Sequence, residues 1–276
     1  MIFQSHQPAF PLNQFIETMI YFEGFSPVHT LDRFLPDGNT ELLIDLRDTP
    51  QSIHDNNTLE VIQFCKHAWV SGVRIRPITI PSGKDRRMIV VAFKKGGAYP
   101  FYPCPMSELS DSVVMADLIF GNHIHQLREQ LLAAKSIDDI FRQLELFLLG
   151  MGGDKLYEQP AQRCIEFVLK NMVHQPTMIR FQNLIEQIGY SQKHFISMFK
   201  NQVGATPKQY LRIMRFQKAI QEMGTNASSF DWSGLALQSG FYDQAHFIND
   251  FRDFSGFTPG EYIKRKADSL NYIPVM

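Results

Sequence analysis

The sequence predicts an α+β multidomain chain: a β-rich barrel or sandwich first, a helical connector next, and an all-α domain last. Three observations carry that division. Apolar residues in the first third come in short β-branched or aromatic runs bounded by turn residues, which is the strand signature. After Ser107 the apolar spacing switches to the three-and-four rhythm of helices. From about residue 159 to residue 266 nearly everything reads as helix, and one stretch of it is repeated.

The 276 residues suffice for two domains, each with a core of its own. Apolar residues make up 44% and charged residues 20%, the usual soluble mix, and no apolar run approaches the roughly 20 residues of a bilayer span, so no membrane partner is expected. Residues 1–11 lack the basic stretch, apolar run and small-residue cleavage site of a leader, so a cytoplasmic location is expected. Cys65, Cys104 and Cys164 are odd in number and show no CxxC pairing, which fits reduced thiols better than a disulfide or zinc framework. The net charge of −1 hides a split: residues 1–154 hold 13 Lys+Arg against 18 Asp+Glu, residues 155–276 hold 14 against 10. Only the second part is suited to a polyanion.

Taken in order, strands are expected at 41–46, 59–65, 73–80 and 87–94, with turn-forming residues at 36–39, 48–50, 55–57, 81–83 and 96–97 between and beside them. Helices follow at 123–134 and 137–149, the second capped by Ser136. Their stripe of Ile124, Leu127, Leu131, Ile140, Leu144 and Phe147 suits either a dimer contact or packing within one chain. The glycine-rich break at 150–154 sets the expected division: 1–121 β-rich, 122–153 connector, 154–276 helical. Within the helical part, breaks are expected at 174–176, 189, 204–207, 224–229, 240 and 256–259.

Shifted by 52 residues, the helical part matches itself. Gln192, His194, Phe195, Ile196, Phe199, Gly204, Thr206, Pro207 and Tyr210 recur as Gln244, His246, Phe247, Ile248, Phe251, Gly256, Thr258, Pro259 and Tyr262, nine identities in nineteen positions. In each copy a short helix, 180–188 or 231–239, ends at a glycine able to close it in the left-handed conformation. A tight turn follows, in which Ser191 or Asp243 can cap the next helix, 192–202 or 244–254. That helix buries two phenylalanines four residues apart and leaves its other face polar. Helix, glycine-bearing turn, helix is the helix-turn-helix arrangement whose second helix enters the major groove of DNA.

The second copy, GFYDQAHFINDFRDFSGFTPGEYI, is similar to the signature of the AraC/XylS family of bacterial transcription regulators, a GF-x-D-x-x-x-F-x-x-x-F core followed by G-x-T-P-x-x-Y. The first copy, IGYSQKHFISMFKNQVGATPKQYL, resembles that family's first unit. The resemblance implies a long helix over 208–223 joining two units that read successive major grooves. Through FLPDGNTELLIDL, WVSGVRIRPITI and MIVVAFKKGGAYPF, the N-terminal half resembles the cupin-like sensor domains attached to some of these regulators. Double-stranded DNA is then the expected partner; a small-molecule effector of unknown identity, a second copy forming a homodimer, and RNA polymerase are the others the resemblance admits. No cofactor and no enzymatic activity are expected.

Gln192, Lys193, Ile196, Ser197 and Lys200 are the groove-facing candidates of the first unit, and Gln244, Ala245, Ile248, Asn249 and Arg252 those of the second. Gln can bond adenine bidentately, Ile can touch a thymine methyl, and Lys200 suits a phosphate. A solvated helix face is the plainer alternative for a lone helix. Asn249 and Asp250 stand where many family members carry basic residues, and Asp253 adds a further negative charge, so either the acids oppose phosphate approach or Asp243 caps the helix while Asp250 and Asp253 lie off the groove. Arg212, Arg215 and Lys218, and Lys264 to Lys266, are further phosphate candidates. His194 and His246 read as turn-stabilising residues, His123 and His125 as structural, and Cys104 as inert. The competing class is a cupin-type enzyme or a DNA-repair protein using the same helices for positioning, which would need a metal or a thiol nucleophile.

Overall fold

The computed structural model describes residues 1–83, 85–157, 160–179, 181–225, 231–266 and 270–275. Residue 159, the expected helix start at 180, and residues 226–229 of an expected break lie outside them. The first half of the chain runs through β1 (Ile2–His6), β2 (Ile16–Glu23), β3 (Leu31–Phe34), β4 (Glu41–Asp45), β5 (Gln51–His54), β6 (Val61–Cys65), β7 (Ala68–Ser71), β8 (Ile78–Pro81), β9 (Arg87–Phe93) and β10 (Val113–Met115). One sheet has the order β1-β2-β9-β4-β7-β10, and all its pairs are antiparallel.

Alternation along these strands builds two cores. Leu42 and Ile44 of β4, Ala68 and Val70 of β7, and Ile89, Val91 and Phe93 of β9 face one side. Their neighbours Trp69 and Met88 face the other, where they meet Ile53, Cys65 and Val113. Successive side chains point to opposite faces of a strand, so one sheet serves both cores. The second sheet lies over the Trp69 face. The result is two packed sheets, not a closed barrel.

The helices α1 (Asp117–Phe120), α2 (Asn122–Ala133) and α3 (Ile137–Gly152) cover the opposite face of the first sheet. Ser136 caps α3 by accepting from the Asp139 amide, as its position predicts. Ile124, Leu127, Leu131, Ile140 and Leu144 are all buried in this chain's own core, with Phe147 packed against it. Packing within one chain, not a dimer contact, is what that stripe does.

The second half comprises α4 (Pro160–His174), α5 (Phe181–Ile188), α6 (Gln192–Val203), α7 (Pro207–Thr225), α8 (Trp232–Gln238), α9 (Gln244–Ser255) and α10 (Pro259–Arg265), then β11 (Tyr272–Pro274). β11 pairs with β3 and completes the second sheet, whose order is β11-β3-β8-β5-β6. The chain's last strand thus belongs to a sheet formed by its first third. Among the described residues no helix is long and apolar enough to cross a membrane.

The expected strand over 73–80 is the largest departure. Residues 68–71 and 78–81 are strands of different sheets, and the segment between them turns around Asp111, whose carboxylate accepts from the Ile75 and Arg76 amides at 3.1 Å and from Arg76 Nε at 2.6 Å.

Candidate nucleic-acid interface

Each repeat folds as its residues dictate. Ser191 accepts from the His194 amide at the start of α6, and Asp243 accepts from the His246 amide at 2.8 Å at the start of α9. Both helices end at a glycine in the left-handed conformation, Gly204 and Gly256, where a side chain would be strained. Phe195, Phe199, Phe247 and Phe251 are fully buried, as are Tyr210 and Tyr262. Phe216 of α7 packs on Phe251 and Phe254 with ring centroids 5.1 and 5.0 Å apart. The long helix α7 therefore shares one core with both units.

With the phenylalanines inward, the opposite face of each second helix is left to solvent. Gln192, Lys193, Ser197 and Lys200 are exposed and Ile196 is half-buried. At 3.6 residues per turn these five fall within an arc of about 140°. The same arc on α9 carries exposed Gln244, Ala245, Asn249 and Arg252 with half-buried Ile248, which also packs against the core. Gln244 is already engaged: its Oε1 accepts from the Ser233 hydroxyl of α8 at 2.9 Å.

The acids of α9 separate into two situations. Asp250 is buried and accepts from Arg212 Nε and Nη2 at 2.9 and 2.7 Å, a bidentate pair across α7 and α9. Asp253 remains exposed and meets the same guanidinium at 3.4 Å. The hydrogen bond to Asp250 in particular raises the Arg212 pKa. Asp243 is a cap and Asp250 points away from the exposed arc, whereas Asp253 stays exposed.

The expected phosphate candidates on α7 are otherwise occupied. Arg212 holds Asp250; Arg215 donates to the Pro176 carbonyl at 3.1 Å, and its burial lowers its pKa; Lys218 pairs with Glu222 at 2.6 Å. Arg212 and Arg215 thus make contacts within the helical core, while Lys218 stays half-exposed beside Glu222. Lys264 and Arg265 are exposed, the latter with its guanidinium 5.1 Å from the Phe257 ring centroid. His194 and His246 are exposed, and the His246 ring accepts from the Tyr242 amide at 3.4 Å, a turn-stabilising contact.

Tyr242, 85% exposed immediately before the α9 cap, was not singled out by the motif. Its counterpart Tyr190 packs on His194 with ring centroids 5.2 Å apart. Extending the 52-residue match two positions upstream of Gln192 finds both tyrosines. Elsewhere, burial pushes the Cys65 thiol up to about 11 and also raises that of Cys104. His123 bonds the Phe120 carbonyl, and among the described residues no three His, Cys, Asp or Glu side chains gather as a metal-holding group.

Residues 184–265 match the family described as a helix-turn-helix domain. They are an AraC-type helix-turn-helix domain. Residues 4–115, upstream of this AraC-type domain, match a domain of unknown function, DUF6597. Over 89 residues the chain is 29% identical to an uncharacterized HTH-type transcriptional regulator of Haemophilus influenzae, 32% of this chain and 28% of that protein. The match thus spans little more than a quarter of the relative. Among solved structures, ToxT from Vibrio cholerae aligns over 95% of this chain and 98% of its own at 13% identity and a TM-score of 0.44. A regulator from Chromobacterium violaceum with an AraC-type DNA-binding domain aligns over 39% of this chain and 96% of its own, at 21% identity and a TM-score of 0.35.

Proposed function

We propose that this chain is a sequence-specific transcription regulator in which residues 1–121 sense, residues 122–153 connect, and residues 154–276 bind double-stranded DNA. One observation carries the reading: two recognition helices expose the same five-residue arc while a single helix, α7, packs into the core of both. In each, a glutamine at the first turn is suited to a base edge and a basic residue two turns on, Lys200 or Arg252, to a phosphate.

Regulation is a population shift: a ligand that prefers one arrangement of the sensor changes the orientation of the reading helices and so the occupancy of the site. A cleft of about 680 Å³ between the end of β9 and α4 touches both halves and supports this reading. Lys95 stands in it, its Nζ donating to the Asp37 carbonyl at 2.7 Å, and Tyr99 donates across it to Gln162 at 3.0 Å. A homodimer contact belongs to the same reading, and the exposed Leu132, Leu146 and Leu149 of α2 and α3 are side chains it could cover.

The test is selection of bound duplexes from a random pool at stated salt concentrations, with wild type beside Gln192→Ala and Gln244→Ala. Wild type is expected to enrich two blocks about one helical turn apart, roughly 10 base pairs. Each variant should relax one block only. No enriched motif at any salt overturns the reading.

A further inference from the structure

A buried cation of the sensor holds the end of the second recognition helix. Arg33 of β3 is only 5% exposed. Its Nε donates to Thr79 Oγ1 at 3.2 Å, one terminal nitrogen to the Asn56 carbonyl, and the other to the Ser255 carbonyl at 3.4 Å. Its plane lies 4.9 Å from the Phe257 ring centroid. These acceptors are uncharged oxygens; of the charged neighbours, Arg265, which shares the Phe257 ring, opposes the cation and Asp55 favours it. One of the carbonyls is on the last residue of α9, the pole of a helix that favours positive charge. A side chain on Gly256, the residue that ends α9, would collide with the guanidinium.

The same stretch of the sensor holds the rest of the unit. β11 pairs with β3 in the register Tyr272 to Phe34, Ile273 to Arg33 and Pro274 to Asp32, flanked by bonds from Leu35 N to Asn271 O at 2.9 Å and from Val275 N to Leu31 O at 3.0 Å. Tyr262 of α10 donates to the Leu270 carbonyl at 2.8 Å, tying that strand back to the helices. Just downstream of β3, the Pro36 and Gly38 carbonyls accept from Gln217 at 2.7 Å and Tyr210 at 3.1 Å, both on α7. Segment 31–38 thus touches α7, α9 and the strand after α10. By contrast, α6 of the first unit meets the sensor through the 106–109 turn, where Ser107 bonds Asn201 at 3.4 Å.

We propose that Arg33 is a positioning residue for DNA recognition: through the C-terminal end of α9, it makes the sensor strand β3 set the orientation of the second recognition helix relative to the first. Arg33 itself touches no DNA. Within segment 31–38 it is Arg33 that bonds the end of α9, whereas Pro36 and Gly38 bond α7, which packs into both units; losing the guanidinium bridge therefore frees the end of α9 while the α7 contacts remain. The inference rests on the regulator reading and adds to it the residue through which the sensor acts.

The test uses the full chain in the duplex selection above, with Arg33→Met, Arg33→Lys and Phe257→Leu, the last keeping the charge while removing the ring beneath it. Thermal melting establishes that each variant is folded. In parallel, amide exchange is measured without DNA at residues 252–257 and at 199–204. Arg33→Met is expected to raise exchange at 252–257 about tenfold, leave 199–204 unchanged, and cut preference for the second block at least tenfold with the first intact. Arg33→Lys should recover most of the second-block preference. Should Arg33→Met not fold, Phe257→Leu supplies the same two readouts. A folded variant that selects both blocks as strongly as wild type overturns the proposal while leaving the regulator reading in force. A wild type that selects no motif overturns both, and the exchange data then report the clamp alone.

Discussion

The two helix-turn-helix units share nine of nineteen residues, the glycine that ends the second helix and the phenylalanine core, yet they manage charge in opposite ways. Helix α6 carries Lys193 and Lys200 and no carboxylate; α9 carries Asp250 and Asp253 around Arg252. Read along the helix, the second unit looks hostile to phosphate. In three dimensions Asp250 is buried against Arg212, so one negative charge leaves the exposed face, and a positive charge from α7 leaves with it. What a helix shows to a polyanion is thus set by pairs that cross between helices as much as by its own sequence.

Removing the crossing pair from one side or the other should break that comparison most strongly. The Asp250 side chain is 7% exposed and that of Arg212 is 36%. Arg212→Met takes the bidentate partner from a buried carboxylate, leaving His246 Nε2 at 3.6 Å, and is expected to cost about 3 kcal/mol, the low end for a broken buried pair. Asp250→Asn leaves a guanidinium that can reach water and should cost about 1 kcal/mol. Urea unfolding of the two variants measures both, and equal losses would mean that Asp250 is not buried as described.

This pair marks where sequence reasoning reaches and where it stops. The repeat, its caps and its inward phenylalanines are legible because they are local, set by residues three, four and seven apart. Strands 41–46 and 87–94 are legible because each is a short apolar run bounded by turn residues, as a strand buried on both faces requires. The Arg212 and Asp250 partners stand 38 residues apart on different helices, and no periodicity links them. The same holds for Asp111, which turns the chain at residues 75–76 from 35 residues away and splits what reads as one strand over 73–80. β11 is three residues long, too short for any pattern, and its place beside β3 depends on the whole helical part returning to the N-terminal sheets. Helices α2 and α3 are predicted correctly as helices, but their spacing does not say whether the partner surface is the same chain or another.

The helix caps test the comparison more finely. The Asp243 carboxylate accepts from its helix at 2.8 Å, whereas the Ser191 hydroxyl does so at 3.4 Å. A charged cap also gains from the positive end of the helix. Asp243→Ala is therefore expected to cost about 1–2 kcal/mol and Ser191→Ala about 0.5 kcal/mol, read as separate shifts in urea midpoint at unchanged slope. The reverse order would show that the shorter, charged cap is not the stronger one and would overturn this part of the comparison.

The smallest effect separates the copies by pH alone. At the helix that follows each recognition helix, Thr206 pairs reciprocally with Gln209, and Thr258 with Glu261. The first pair is neutral. In the second, the Thr258 amide, followed by its hydroxyl, holds the Glu261 carboxyl below its ordinary value of 4.5. A carboxyl whose folded-state pKa is depressed stabilises the fold fully above the unfolded value, and that contribution is lost as pH falls through the folded one. Below pH 4.5 the Thr258 amide should therefore exchange progressively faster relative to the intrinsic rate while the Thr206 amide keeps its protection. Glu261→Gln should make the second unit behave like the first. If both amides lose protection together, acid is acting on the shared core, and the charge difference between the two caps has no separate consequence.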